Sequence, residues 1–281
     1  MAFTANCDLY GAVHEDGVNR VVQHIMRQRP SLFNYATSYI AQHPDAACAP
    51  VQHTSDVVHY HNPDFTLEGP IPILGADAPP FGLNYAVQIL SAQVDFFPEN
   101  VFALPAELNP PLAGQRFALK VHVCGGLDCP SLEYVNQVPP GGGEQSKDGA
   151  VAANVPPKQV VPPTRRLKCF CLDAYVVGHV EIQLSGGRHW LMGVVDDVDI
   201  VDIKPDELEA AIDCYLRFTF DLLLREKLAM PLDNLFLGLN KDLENKLVKV
   251  TFSPTPNPPV ANNPAIEDNQ VKAFLDLKVS P

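Results

Sequence analysis

The sequence predicts an α+β fold, in which a long, strongly curved antiparallel sheet wraps around two long amphipathic helices. Residues 169–184 alternate between apolar and polar side chains over far more positions than the usual strand of about 5–6 residues. Residues 81–97 form a second long alternating stretch, and helical periodicity appears at 15–28 and 205–228. Since a sheet with one apolar face needs a cover, we expect the two helices to supply it.

The first helix is predicted at residues 15–28, where apolar side chains recur at i, i+3, i+4, i+7 and i+8. Pro30 interrupts this helix because proline lacks the amide hydrogen that a helix needs. A second helical stripe follows between Leu32 and Ile40, and we expect it to be a kinked continuation. The apolar stripe of the first helix consists of Val18, Val21, Val22, Ile25 and Met26.

Three features are predicted between the first helix and residue 164. The apolar face of 81–97 switches from odd to even positions, which indicates a bulge or sharp bend. Residues 116–124 form a further strand. Residues 136–164 are rich in Pro and Gly and lack aromatic residues, so we interpret them as a mobile loop or insertion in a single domain spanning 1–281. A domain boundary is the alternative interpretation.

The second half of the chain continues the long sheet and adds the second helix. Ser185-Gly186-Gly187 predicts a hairpin turn that leads into a return strand at 189–203. Pro205 with the two following acids predicts a helix start, and the helix runs to about Leu228. Two closing strands are predicted at 247–252 and 271–279.

The charge and composition exclude several classes of partner. With 20 basic and 33 acidic residues the net charge is −13, so nucleic acid and anionic membrane surfaces are disfavoured. No segment is apolar enough to predict a transmembrane span, and the N-terminus lacks the features of a secretory signal. Seven cysteines, an odd number, argue against a complete disulfide framework and favour a cytoplasmic location.

The cysteines leave three interpretations open. Cys124 with Cys129, and Cys169 with Cys171, place two pairs of sulfurs at the ends of predicted neighbouring strands. Four thiolates are able to hold zinc tetrahedrally, although these spacings are not common in structural zinc sites. Disulfide pairing is the second interpretation. Ordinary buried or half-buried thiols are the interpretation that we favour.

Histidine and aspartate clusters have similar alternatives. His59 and His61, with His53 and His122, contain donors for zinc or copper, but solvent-exposed histidines are the favoured interpretation. Asp197 and Asp199 share a strand face that suits a divalent cation. A solvated strand face is favoured there as well. We therefore expect no metal and no cofactor.

Sequence motifs for catalysis are missing. The chain has no G-x-S-x-G nucleophile turn, no G-x-G-x-x-G fingerprint and no Walker-type phosphate loop. We therefore predict that the protein is not an enzyme.

The order of elements resembles one module of the tubular lipid-binding superfamily, which includes the bactericidal permeability-increasing protein. The resemblance rests on the helix at 15–28, on Leu228-Ala229-Met230-Pro231-Leu232 at the end of the second helix, and on Pro264–Val271 before a closing strand. It implies that a curved sheet wraps a long helix and that lipid tails lie between them. No counterpart of the family's disulfide is identified, and the chain supplies one module where secreted members have two.

The expected function is therefore non-enzymatic binding of a lipid or other hydrophobic ligand in a groove between helices and curved sheet. The alternative is a structural subunit of a large assembly, such as a phage, injection-machine or secretion-complex component, because an acidic surface and long sheet edges suit repeated strand pairing. The residues expected to line the groove are Val21, Ile25, Met26, Tyr35, Tyr39, Ile212, Tyr215 and Leu216.

Overall fold

Strands dominate the computed structural model of the chain. Its described residues contain thirteen strands and two α-helices. Within those residues, no helix has both the length and the hydropathy that crossing a membrane requires. The structure describes residues 6–55, 60–72, 82–127, 167–204, 229–232 and 249–280.

The predicted fold class, with a curved sheet wrapped around two long helices, is wrong. Helix α1 (Glu15–Gln28) has 14 residues, and α2 (Ser38–Gln42) has only 5. Among the described residues, the apolar faces of the long strands are covered mainly by other strands and by loops. The helix predicted at 205–228 lies outside the described residues.

The strands form one large sheet, one smaller sheet and a two-stranded ribbon. The bounds are β1 Leu9–His14, β2 Asn34–Thr37, β3 Thr66–Glu68, β4 Ile71–Pro72, β5 Gly82–Leu83, β6 Tyr85–Phe96, β7 Arg116–Leu127, β8 Lys168–Ser185, β9 Arg188–Lys204, β10 Ala229–Pro231, β11 Lys249–Pro254, β12 Ala265–Glu267 and β13 Gln270–Ser280. The large sheet has the order β10-β9-β8-β7-β6-β2-β3, and the smaller sheet has β1-β13-β11 with β12 also paired to β13. Strands β4 and β5 form the ribbon.

The long hairpin predicted around 169–203 is confirmed. Strand β8 has 18 residues and pairs antiparallel with the 17 residues of β9. Gly186 and Gly187 form the turn with φ angles of 60° and 74°, a conformation that residues with a Cβ rarely adopt. The register shifts between Cys171 and Asp173 and again between Val177 and Gly178, so the hairpin carries two irregularities.

By its internal contacts the chain divides into two compact units. Unit 1 consists of Met1–Arg27, Ile89–Val123 and Cys171–Pro281, and unit 2 consists of Gln28–Gln88 and Cys124–Phe170.

The core of unit 1 lies between strands of the two sheets. Phe96 and Phe117 on β6 and β7 pack with Ile266 on β12, and α1 adds Val18 to this cluster. Near the turn of the hairpin, Phe252 and Leu275 of the smaller sheet pack with Leu232. In the part of the chain that the structure describes, strands therefore supply most of the cover that was expected from helices.

The opposite face of β7 and β8 in unit 1 is covered by the loop between β6 and β7. Leu108 from this loop packs on Ala118, Tyr175 and Val177. The alternation in 169–184 predicts one mostly polar face for β8, yet Tyr175 and Val177, which share a face with Asp173, are buried. The middle of β8 is therefore covered on both faces.

In unit 2, the prediction of a kinked helix after Pro30 is wrong for residues 34–37, and only Ser38–Gln42 are α-helical. Residues 34–37 form strand β2, which pairs antiparallel with β6 and parallel with β3. The helical stripe between Leu32 and Ile40 misled because backbone pairing with β6 and β3 overrides local periodicity. Ile40 and Phe65 lie in the apolar core of this unit.

Candidate functional site

Two polar side chains of α1 bind the backbone of β6. Asn19 Nδ2 donates to the carbonyl oxygen of Val94 at 2.8 Å, and Asn19 Oδ1 accepts from the Val94 amide at 2.7 Å. Glu15 Oε2 accepts from the Phe96 amide at 2.8 Å. Because residues two apart in a strand direct their backbone groups to the same side, these bonds replace part of a neighbouring strand.

Glu15 is deeply buried, with 2% of its surface exposed. Burial raises the pKa of Glu15 above its usual 4.5, the Phe96 amide works in the opposite direction, and the nearby Asp95 carboxylate raises the pKa further. Asp95 is also buried and accepts from the amides of Asn100 and Val101. Two buried carboxyl groups therefore lie at the first turn of α1.

The polar anchors fix the rotation of α1 about its axis. Glu15, Asn19, Val22 and Met26 follow an i, i+4, i+7, i+11 spacing and share one face. In a helix Val21 lies about 100° around the axis from Val22. One side of the apolar stripe therefore points away from β6. We call Val21 and Ile25 on that side the outer stripe, and they are 57% and 37% exposed.

The described residues that were expected to line a groove are divided between unit 1 and unit 2. Val21, Ile25 and Met26 lie on α1 in unit 1, with Met26 half-buried. In unit 2, the Tyr35 hydroxyl on β2 donates to the Leu32 carbonyl oxygen at 3.0 Å, and the ring of Tyr39 on α2 stacks on His43. The groove remains a prediction. Ile212, Tyr215 and Leu216 lie outside the described residues.

A second cluster lies on neighbouring strands β7 and β8 of unit 1. The Asp173 carboxylate binds His122 Nδ1 at 2.5 Å and Lys120 Nζ at 3.1 Å. Lys120 Nζ also lies 5.1 Å from the centre of the Tyr175 ring. Burial works to raise the pKa of Asp173, but hydrogen bonds from His122 and Lys120, together with the Lys120 charge, outweigh it and lower that pKa.

Of the two aspartates that suggested a cation site, Asp199 is buried, with 3% of its surface exposed, so the favoured interpretation of a solvated strand face is wrong for it. Asp196 contacts His179 Nδ1 at 2.9 Å and Arg116 Nε at 3.5 Å. Asp197 accepts from the Asn109 amide at 2.9 Å and so holds the loop between β6 and β7. The Asn109 amide therefore binds one of the two carboxylate oxygens of Asp197.

Two of the histidines considered as a possible metal site, His53 and His122, contact different aspartates. His53 lies 3.9 Å from Asp64, and His122 is bound to Asp173. His61 is exposed, and His59 lies outside the described residues.

Three of the four cysteines in the predicted pairs, Cys124, Cys169 and Cys171, are disulfide-bonded, which corrects the favoured prediction of ordinary thiols for these three. Cys48 is bonded to Cys169, and Cys124 and Cys171 are disulfide-bonded as well. Because zinc binds thiolates, the sulfurs of these disulfides are not zinc ligands in this state. Cys129 lies outside the described residues.

Cys171 has a histidine close by. Its Sγ and a ring nitrogen of His122 lie within 4.8 Å of each other. Cys171 and His122 are both partly buried. Asp173 therefore orients a histidine that lies next to a disulfide sulfur.

Sequence reasoning missed the anchoring role of Glu15 and Asn19 and the pairing of His122 with Asp173. A local signal existed for Asn19, a polar residue beside an apolar stripe, but it did not identify Val94 as the partner. His122 and Asp173 are 51 residues apart, so their contact depends on strand pairing. Among known proteins, no family model and no curated sequence matches the chain.

Proposed function

We propose that this protein is a non-enzymatic structural subunit whose copies associate through the outer stripe of α1. The observation that carries the proposal is the exposure of Val21 and Ile25 on a helix that is anchored by its other face. Two large aliphatic side chains at i and i+4 are neighbours on a helix surface and so form one apolar contact.

Charge supports a second copy as the partner. Arg20 and His24 are exposed beside the outer stripe, and no carboxylate occurs from Gly17 to Gln28. The whole chain carries −13, so this helix surface is complementary in charge to an acidic surface of another copy. Contact between two different surfaces of identical chains gives a head-to-tail arrangement, which builds rings or filaments.

A hydrophobic ligand is the second candidate. Val21 and Ile25 are among the residues that the resemblance to the tubular lipid-binding superfamily implies as ligand contacts, and their exposure leaves them accessible. The chain does not have the expected fold of a sheet wrapped around two long helices. The support for a hydrophobic ligand is therefore the outer stripe alone. The segment 205–228, which carries part of the resemblance, lies outside the described residues.

Light scattering after size exclusion, with native mass spectrometry, tests the proposal. We expect a mass that rises with concentration and falls with added salt, because exposed charges are screened. The double variant Val21→Ser/Ile25→Ser should remain monomeric. Leu184→Ser is the matched control. Leu184 is also an exposed aliphatic side chain, but it lies near the turn of the β8–β9 hairpin and not on α1.

Two outcomes contradict self-association. A protein that is monomeric at every concentration removes the proposal. A monomer that retains a lipid in native spectra, and loses it in the double variant, replaces the proposal with the hydrophobic-ligand candidate.

A further inference from the structure

Strand β8 carries two cysteines that belong to disulfides in different surroundings. Cys169 is bonded to Cys48, and its surface is exposed. Cys171 is also disulfide-bonded but is partly buried. If access alone decided reactivity, a reductant in solution would attack the disulfide of Cys169 first.

The chemistry around Cys171 favours the opposite order. A His122 ring nitrogen lies within 4.8 Å of Cys171 Sγ, and Asp173 holds that ring by a 2.5 Å bond to Nδ1. Lys120 adds a positive charge 3.1 Å from the same carboxylate. With a protonated imidazole, the group Lys120–Asp173–His122 carries one net positive charge.

We propose that the disulfide of Cys171 is a thiol–disulfide exchange site, in which His122 stabilises the Cys171 thiolate and the reductant is a dithiol. This function goes beyond assembly and needs no contact through α1.

The exchange balances in two steps. A thiolate of the dithiol attacks the sulfur bonded to Cys171, the S–S bond breaks, and its electron pair leaves on Cys171 Sγ. A protonated His122 ring stabilises this thiolate and gives it a proton, and the ring regains from solvent the proton that the attacking thiol released there. The second thiol of the dithiol then attacks the mixed disulfide and releases the other cysteine. Two electrons and two protons pass from the dithiol to the protein, and the dithiol becomes a disulfide.

The physical reason is the stability of the leaving group. A thiolate beside a cationic imidazole has a lower thiol pKa, and a thiol with a lower pKa leaves faster in exchange. The Asp173 carboxylate opposes this effect by its charge, but it also fixes the ring beside the sulfur and is itself paired with Lys120.

The test compares the two disulfides within one molecule. The folded protein is treated with dithiothreitol, quenched with an alkylating reagent at set times, and fragmented by mass spectrometry to separate label on Cys169 from label on Cys171. We expect Cys171 to be labelled roughly tenfold faster than Cys169, although it is less exposed.

Variants assign the effect to His122. His122→Gln should slow labelling of Cys171 roughly tenfold and leave Cys169 unchanged. His179→Gln is the matched control, because His179 also pairs with an aspartate on the same sheet, and it should change neither rate. Faster labelling of Cys169 in the unmodified protein overturns the proposal, even if the His122 variant does not fold. Equal slowing of both cysteines by His122→Gln also overturns it.

Discussion

One face of helix α1 is bound to the sheet, and the other face is exposed. The face with Glu15 and Asn19 is bonded to the backbone of β6, whereas the face with Val21 and Ile25 is exposed. An amphipathic helix is expected to bury the middle of its apolar stripe. Here three hydrogen bonds to the Val94 and Phe96 backbone determine which face docks. A backbone group left unbonded costs more than a partly exposed aliphatic side chain.

Removing the Asn19 anchor should have the largest effect. Asn19→Ala leaves both backbone groups of Val94 without their partner, and we expect the free energy of unfolding to fall by about 2–3 kcal/mol. Urea denaturation measures this loss. Gln23→Ala on the exposed face is the control for helix propensity and should cost almost nothing. Equal effects of the two variants would show that Asn19 does not anchor the helix.

Truncating one aliphatic residue on each face sharpens the comparison. Val22→Ala removes methyl groups from the docked face and should cost about 1 kcal/mol. Ile25→Ala removes more atoms but from an exposed side chain, so its cost should stay below about 0.5 kcal/mol. Denaturation of both variants in parallel gives the difference. A larger cost for Ile25→Ala would place the apolar contact on the other face.

The Glu15 carboxyl adds a pH dependence to the docked face. Its pKa is raised in the folded protein, so the folded state holds this proton more tightly than the unfolded chain. This contribution to stability is complete below the usual pKa of 4.5 and is lost as pH rises through the folded-state value. Glu15→Gln keeps an oxygen acceptor for Phe96, and it should flatten the profile of unfolding free energy over that window. An unchanged profile would exclude Glu15 as its source.

The outer stripe should contribute least to stability. Val21→Ser/Ile25→Ser should change the free energy of unfolding by less than about 0.5 kcal/mol, because both side chains are already exposed. Thermal unfolding of the monomer measures it at low concentration, where association does not contribute. A large loss of unfolding free energy would show that these side chains are needed for folding. The double variant would then have lost association because it does not fold.

Local pattern identified individual elements better than their partners. The helix at 15–28 is confirmed, as are the β8–β9 hairpin and the strand that begins at Arg116. These elements have strong periodicity or glycine turns, which depend on neighbours in sequence.

The fold class and the sites depended on contacts that a single sequence does not show. Strand β1 pairs with β13 at the other end of the chain, and it was not predicted. The cover of β7 and β8 required knowing that Phe117 packs in one cluster with Ile266 and that Leu108 packs in one cluster with Val177. The Cys48–Cys169 bond joins residues 121 apart, so cysteine spacing gave no guide to it.

The disulfides also bear on where the protein is found. An odd cysteine count favoured the cytoplasm, but disulfides persist mainly in oxidising compartments. The cytoplasmic location therefore stays a prediction, and the bonds at Cys169 and Cys171 are evidence against it.

Amide hydrogen exchange at Val94 tests the anchoring of α1 most directly. The Val94 amide donates to Asn19 Oδ1, so it should be protected in the native protein and in Val21→Ser/Ile25→Ser. In Asn19→Ala its exchange should accelerate strongly, while amides in the middle of β8 stay protected. If Val94 exchanges at the same rate with and without the Asn19 side chain, the helix is held in some other way and the account of its two faces is wrong.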